Sequence, residues 1–399
     1  MLALDRIYHA AYVLKGVARK TDLIAAPHLV PGIGDLYLKT ENLQVTGSFK
    51  LRGASYKISQ LPKGDLERGI IACSAGNHAQ GVALAATHMG VRSIVCMPDG
   101  APIMKVESTR RLGAEVRLVK GSYDDAHDEA VRLQEKTGAT LIHPYDDEDV
   151  ICGQGTIGLE IMDQLEGVDA VVVPVGGGGL ISGVACGVKS LKPSCQVFGV
   201  QAAGASAMAE SFHRGDWYAS DTASTFADGI AVKNPGEITF QMVRKYVDDI
   251  VTVSDDEIAA AILNLMERQK VVAEGAGAVP VAAAMFDKLP LAGKRVVCVV
   301  SGGNIDVNIL SRVINRGLAM SGRKVTMEIR LTDKPGQLQQ VSTIIAELGA
   351  NVVSVDYDLS DPDLPISSCT LRVGMETRDQ AQIDQIRAKL VGEGFALVG

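Results

Sequence analysis

The residue of this 399-residue chain best placed to do covalent chemistry is a lysine in an unusual setting. Lys50 lies in Thr46-Gly47-Ser48-Phe49-Lys50-Leu51-Arg52-Gly53-Ala54, between apolar Phe49 and Leu51 at the head of a helical stretch. Most lysines are solvated surface charges, so the setting carries the reading rather than the residue type. Partial burial disfavours the ammonium and makes a neutral amine available, which is what a Schiff-base lysine requires. Three further segments each put small residues between a short apolar run and a helical stretch. Gly176-Gly177-Gly178-Gly179 follows the run Ala170 to Val175 and lacks dinucleotide-fingerprint spacing, so it reads as a nest of backbone N–H groups for one phosphate. Ser74-Ala75-Gly76-Asn77-His78 follows Cys73 and offers hydroxyl, amide and backbone N–H groups at a helix N-terminus. That suits a carboxylate, or equally a plain Ser/Asn helix cap. Ser301-Gly302-Gly303-Asn304 follows Arg295 to Val300, and Ser301 either caps a helix or bonds a ligand.

Other glycine patterns carry less. Gly153-Gln154-Gly155-Thr156-Ile157-Gly158 satisfies the G-x-G-x-x-G expression, but it follows the acidic Tyr145-Asp146-Asp147-Glu148-Asp149, which would repel a pyrophosphate. The expectation there is a helix start with close packing. No G-x-x-x-x-G-K-[ST] is present.

The elements that must position these groups show in the periodicity. Gly69 to Cys73, Val91 to Met97, Glu115 to Val119, Ala170 to Val175, Val197 to Val200 and Arg295 to Val300 predict strands. Ala79 to Met89 and Ile103 to Leu112 predict helices between them, the pattern of β-α units on a parallel sheet. The strands are continuously apolar rather than alternating, which predicts a sheet covered on both faces. Beyond residue 322 the order becomes β-α-β-β-α-β: strand Val325 to Leu331, helix Pro335 to Leu348, strands Asn351 to Asp358 and Ile366 to Met375, helix Gln380 to Val391 and strand Phe395 to Val398. That is a ferredoxin-like plan.

Composition bounds the partners. With 47% hydrophobic and 22% charged residues the chain has ordinary globular cores, and its length suggests two or three domains. A net charge of −8 offers no basic surface for nucleic acid. Ala170 to Val188 approaches membrane-spanning length, but Pro174 and four glycines predict a strand, a turn and a helix start, so no membrane partner is expected. Seven scattered cysteines without C-x-x-C spacing argue against disulfides and a structural zinc, and no metal site is expected. Met1-Leu2-Ala3-Leu4-Asp5-Arg6 has no export pattern, so a cytoplasmic setting is expected.

Taken together, S-F-K-x-R-G-A, S-A-G-N-H-A-Q-G, G-G-G-G-L-I-S-G and S-G-G-N resemble the fold-type II pyridoxal-phosphate enzymes, specifically threonine dehydratases, with serine racemases as near relatives. The resemblance covers about residues 5–320. The C-terminal segment resembles an ACT domain, marked by Asp333-Lys334-Pro335-Gly336-Gln337-Leu338. The implied fold class is α/β, a tryptophan synthase β-like pair of open twisted domains plus a ferredoxin-like α+β unit. Residues 1–52 and 146–320 form the large cofactor domain, 53–145 a small mobile domain, 321–325 a linker and 326–399 the ACT domain.

The resemblance implies that Lys50 forms the Schiff base with pyridoxal 5'-phosphate, with Phe49 beside it. It further implies that Gly176, Gly177, Gly178 and Gly179 hold the phosphate, Asn77 the ring hydroxyl and Ser301 the ring nitrogen. Ser74, Gly76, Asn77 and His78 would receive the substrate carboxylate. Glu274, in Ala273-Glu274-Gly275-Ala276, either lines the site or is a solvated helix-end carboxylate. The implied reaction is β-elimination of L-threonine to 2-oxobutanoate and ammonia, and of L-serine less efficiently, on the route to isoleucine. Serine racemases carry a serine where Ala75 stands, so racemisation should be weak. They also bind a divalent cation through acidic residues after the strand matching Val197 to Val200, where Gln201 to Ala207 has no carboxylate. A branched-chain amino acid would bind as effector near Asp333, Gly336, Gln337 and Leu338, and a homotetramer is expected. The alternatives are a serine dehydratase or racemase and a non-catalytic amino-acid sensor.

Overall fold

The computed structural model describes residues 3–359 and 365–398; Met1 and Leu2 of the amino-terminal stretch lie outside them. The chain forms two units, Met1–Asp306 and Val307–Gly399.

In the first unit, β1 (Leu23–Ala25) pairs antiparallel with β2 (Asp35–Thr40) at the edge of a large sheet. The chain then builds a small parallel sheet from β3 (Ile70–Cys73), β4 (Ser93–Pro98), β5 (Glu115–Val119) and β6 (Thr140–Leu141), in the order β5-β4-β3-β6. It returns for β7 (Ala170–Pro174), β8 (Gln196–Ala202), β9 (Asp249–Val253) and β10 (Arg295–Val300). The large sheet runs β1-β2-β10-β7-β8-β9 and is parallel from β2 onward. β3 and β7 are buried at every position, as their unbroken apolar runs predict for a sheet covered on both faces. Val171, Val173, Val197 and Val299 of the large sheet pack with Ile181, Val184 and Val188 of the helix Gly179–Leu191. The residues Ala170 to Val188 thus form a strand, a glycine turn and a helix, and no helix among the described residues is long and apolar enough to cross a membrane.

The G-x-G-x-x-G run lies inside the helix Glu148–Gln164 rather than at its start. The acidic residues before it supply the cap: Asp147 accepts from the N–H groups of Asp149 and Val150, where the helix dipole favours negative charge. Its glycines admit neighbouring helices. A Cβ on Gly153 would sit 2.5 Å from the Arg52 carbonyl oxygen, and one on Gly155 2.9 Å from that of Gly183. The helix therefore packs closely on both Lys50–Ser59 and Gly179–Leu191.

The second unit begins with the helix Val307–Met320, followed by β11 (Lys324–Thr332), the helix Gln337–Glu347, β12 (Asn351–Asp358), β13 (Ser368–Glu376), the helix Gln380–Gly392 and β14 (Ala396–Val398). Its antiparallel sheet has the order β12-β13-β11-β14, the ferredoxin-like arrangement. Ile329, Leu331, Ile345, Leu371 and Ile386 fill its core. The division falls after Asp306, earlier than the boundary expected at about residue 322. The helix Val307–Met320 joins the carboxyl-terminal unit because the turn into β11 is tied back to it: Arg323 N–H donates to the Leu318 carbonyl and Lys324 Nζ to Asn315 Oδ1.

Candidate active site

Ligands of open α/β sheets bind beyond the carboxyl ends of the strands, and both sheets of the first unit deliver their singled-out segments there. Lys50 follows β2, the four glycines follow β7, Ser301 follows β10 and Ser74 follows β3. A bridge between Ser48 and Gly302, with Phe49 N–H donating 3.1 Å to the Ser301 carbonyl, fastens the lysine segment to the serine segment.

Lys50 is the first residue of its helix, with Nζ 5.3 Å from the Phe49 ring centroid and donating 2.7 Å to the Pro144 carbonyl. Desolvation brings its pKa down to about 8, against which the Glu274 carboxylate acts weakly. Glu274 is buried at 4% exposure, which excludes the solvated helix-end reading. Burial and then the Asp228 carboxylate push its pKa up to about 7, while hydrogen bonds from Asn77 and the Asn304 backbone hold it down. Asn77 opens the helix Asn77–His88 and donates 2.6 Å from Nδ2 to Glu274 Oε1. Its Oδ1 accepts from Asn304 Nδ2 at 2.8 Å, and Asn304 Nδ2 also reaches the Thr46 carbonyl at 2.8 Å. The segments after β2, β3 and β10 are therefore joined by one polar chain from Thr46 through Asn304 and Asn77 to Glu274.

Ser74 Oγ accepts from Gly76 N–H at 3.1 Å and shapes the turn before that helix. His78 is buried, and its Nε2–H donates 2.9 Å to the Ile142 carbonyl. Desolvation drives its pKa to about 3, so it is neutral and its imidazole is committed to the small sheet. What it can offer a carboxylate is its backbone N–H at the helix N-terminus.

The glycine loop is backed by Tyr145, and side chains at Gly177 or Gly179 would overlap that residue. Gly178 has φ +96°, and a Cβ there would meet Met208 and Thr239, while Gly176 lies against Ile230. Ser301 is buried directly after β10, and because the next helix starts only at Val307 it does not cap one. The donor set suits pyridoxal phosphate: an amine for its aldehyde, a glycine nest at a helix N-terminus for its phosphate, and a neutral hydroxyl for its ring nitrogen.

The effector residues expected from the sequence lie in the second unit at the turn between β11 and the helix Gln337–Glu347. There Asp333 N–H donates 2.8 Å to Ser367, Gly336 adopts φ +94°, Gln337 Nε2 donates 3.0 Å to Gln340 and Leu338 is exposed.

Sequence reasoning passed over His143-Pro144-Tyr145, which touches both the lysine and the glycine loop, and left Asn304 without a role. A short polar and aromatic segment directly after a strand was the available signal for the first; nothing local marked Asn304 as the bridge.

The strand-end site and doubly wound sheets define a fold-type II enzyme, and the chain belongs to the family of pyridoxal-phosphate dependent enzymes, which matches residues 14–302. It is 50% identical to the L-threonine ammonia-lyase of Thermotoga maritima over 397 residues, 99% of this chain and 98% of that protein. Among solved structures it resembles the processed form of threonine deaminase isoform 2 from Solanum lycopersicum, with 38% identity, TM-score 0.74, and 78% of this chain and 93% of that one covered. It also resembles maize serine racemase, with 33% identity, TM-score 0.75, and 80% and 98% covered.

Proposed function

We propose that this enzyme is a threonine ammonia-lyase, converting L-threonine to 2-oxobutanoate and ammonia by β-elimination. The observation that carries the reading is the Lys50 amine, its pKa lowered to about 8, held by the Pro144 carbonyl of the turn whose Tyr145 backs the glycine loop and felt by the Glu274 carboxylate bonded to Asn77. The 50% identity with an L-threonine ammonia-lyase over nearly the whole chain supports the substrate.

When bound, pyridoxal phosphate supplies an electron sink for the charge left at the substrate Cα. Lys50 and the Gly176–Gly179 loop would hold it, with Asn77 and Ser301 at its ring. The turn Ser74–His78 receives the substrate carboxylate and sets the Cα–H bond toward Lys50 Nζ. Lys50 removes that proton as general base, which needs the neutral amine that burial favours. The β-C–O bond then breaks, its electron pair leaving with the oxygen, which takes up one proton in balance with the one Lys50 removed and departs as water; the released enamine takes up water to give 2-oxobutanoate and ammonia. Glu274, whose pKa burial pushes up to about 7, accepts from Asn77 and holds the amide in place. A neutral Ser301 hydroxyl, placed to meet the ring nitrogen, would favour rapid loss of the β-substituent over transamination.

Serine lacks one methyl group, worth about 1–3 kcal/mol in a hydrophobic pocket, so it is turned over less efficiently. Ala75 has no hydroxyl to return a proton to the opposite face, which disfavours racemisation. The ferredoxin-like second unit serves as an ACT domain, in which a branched-chain amino acid binds at the Asp333–Leu338 turn of a cytoplasmic homotetramer and regulates the committed step toward isoleucine. The test is 2-oxobutanoate formation from threonine by the wild type and by Lys50→Ala, with and without isoleucine and valine. Threonine turnover equal in the two proteins overturns the catalytic reading, and kinetics unmoved by either amino acid overturn the regulatory one.

A further inference from the structure

We propose that His143 is a positioning residue of this site, whose Nδ1 atom fixes the turn that presents the Pro144 carbonyl to Lys50 and the Tyr145 ring to the glycine loop. The inference rests on Lys50 being the cofactor lysine.

Residues 142–147 carry the chain from β6 of the small sheet to the helix Glu148–Gln164. Nearly every residue of that crossing touches something the site needs. The Ile142 carbonyl accepts from His78 Nε2–H, and the Pro144 carbonyl accepts from Lys50 Nζ at 2.7 Å. Tyr145 backs Gly177 and Gly179, and its hydroxyl donates 3.0 Å to the Asn234 carbonyl. Asp146 accepts from the N–H groups of Glu237 and Thr239, each at 3.1 Å, and so caps the helix Glu237–Tyr246.

Residues 143–147 belong to neither a strand nor a helix, so no backbone ladder holds the segment in shape. What holds it internally is His143. Its Nδ1 accepts from the Tyr145 N–H at 3.3 Å and from the Asp146 N–H at 2.8 Å. Both partners are donors, so Nδ1 must carry a lone pair and the proton sits on Nε2, a tautomer assigned from these bonds. The ring also stands edge-on to Tyr145, with centroids 4.7 Å apart at 83°. One imidazole thereby orients the two peptide groups that come after Pro144 and packs the ring that shapes the phosphate nest. Losing the acceptor leaves two N–H groups of a partly buried turn without their partner, and the cheapest response is a rotation of the Pro144–Tyr145 peptide. That rotation moves the Pro144 carbonyl that holds the Lys50 amine, so the damage appears at the lysine and the loop before it appears in global stability.

The experiment compares His143→Asn with His143→Phe in the full-length protein. Asparagine offers Oδ1 to the same backbone N–H groups, as in an Asx turn, whereas phenylalanine keeps the ring and removes the acceptor. The readouts are the dissociation constant for pyridoxal phosphate, the visible absorbance of the lysine-bound cofactor and the thermal midpoint of the cofactor-free protein. His143→Phe should bind cofactor about tenfold or more weakly, with an altered absorbance band and a melting point near that of the wild type. His143→Asn should recover the affinity to within about threefold and restore the band. Should His143→Phe fail to fold, His143→Gln, whose amide extends past the Nδ1 position, carries the same expectation. Wild-type affinity and spectrum in the acceptor-free variant overturn the proposal, as does an asparagine variant as impaired as the phenylalanine one. A wild-type band that survives Lys50→Ala would instead overturn the assignment of Lys50, and this inference with it.

Discussion

Lys50 and Arg52 are two cations in the first turn of one helix, and the fold treats them in opposite ways. Arg52 is 1% exposed, yet all of its N–H groups have acceptors. Nε and Nη2 reach the two oxygens of Glu41 at 2.8 Å each, Nη1 reaches Glu160 Oε1 at 2.6 Å and Thr156 at 3.1 Å, and Nη2 also meets Glu160 and the Arg19 carbonyl at 3.0 Å. Lys39, itself fully buried, donates to Glu160 as well at 2.6 Å. Despite its burial the Arg52 guanidinium is held even more firmly charged than usual, and its attraction depresses the Glu41 carboxyl against the pull of that group's own burial. Lys50 has one neutral carbonyl and a weakly coupled carboxylate, and its ammonium is disfavoured. Burial alone therefore does not make a reactive cation. The number and charge of the acceptors decide whether it becomes a structural rivet or an available amine.

The sharpest way to break this contrast is to delete each cation. Lys50→Ala should lower threonine turnover on the order of 10^4-fold while leaving the thermal melt close to the wild type, because no paired charge is orphaned. Arg52→Met should do the reverse in kind: leaving Glu41 and Glu160 without their partner costs about 3–5 kcal/mol, read as a lower denaturant midpoint. A stable Arg52→Met protein would mean that the network is not what anchors the helix.

The two glycine runs extend the contrast to the backbone. Gly155→Ala places a Cβ 2.9 Å from the Gly183 carbonyl oxygen and should cost about 1–3 kcal/mol of stability with cofactor affinity unchanged. Gly177→Ala drives into the Tyr145 ring at the site itself and should weaken cofactor binding more than it lowers the melt. Equal effects of the two on affinity would erase the distinction between packing and binding glycines.

The smallest effect is in pH. The reactive form of Lys50 is the neutral amine, and a lowered pKa means it appears at lower pH. In cofactor-free protein the rate of aldehyde capture should rise with a midpoint near 8, which separates Lys50 from solvated lysines. Glu274→Gln should move that midpoint further down, since the carboxylate favours the ammonium. A midpoint that stays put or rises would remove Glu274 from the lysine's surroundings.

Much of this was legible along the chain. Strands such as Glu115–Val119, Arg295–Val300 and Asn351–Asp358 have the bounds that their runs predict, because strand-forming side chains are written in consecutive residues; only the inner strand Arg295–Val300 is buried along its length, while the other two lie at sheet edges and are mostly exposed. Lys50, the glycine loop and Ser301 were visible for a related reason: each is marked by its immediate neighbours, Lys50 at the start of a helix, the glycines between a strand and a helix, and Ser301 directly after a strand. Less was legible where partners are distant in sequence. β2 and β9 went unread; β2 mixes Asp35 and Lys39 with its leucines, and Lys39 is acceptable inside because Glu160, Gln164 and the Thr21 carbonyl arrive to meet it. Glu274 offered two readings from its neighbours and was resolved by Asn77, nearly two hundred residues earlier in the chain.

The sequence by itself determined the local chemistry: an amine at a helix start, a run of four glycines between a strand and a helix, a hydroxyl after a strand, and a separate β-α-β-β-α-β unit. These depend on spacing and side-chain type, which act over a few residues. The tertiary structure alone decided which charges are compensated, which glycines lie between packed helices, that His143 bonds the turn beside Lys50, and that Asn304 joins the segments after β2 and β3. Desolvation and hydrogen bonding depend on atoms brought together from different strands and helices, and a pKa or a tautomer exists only once those atoms are in place.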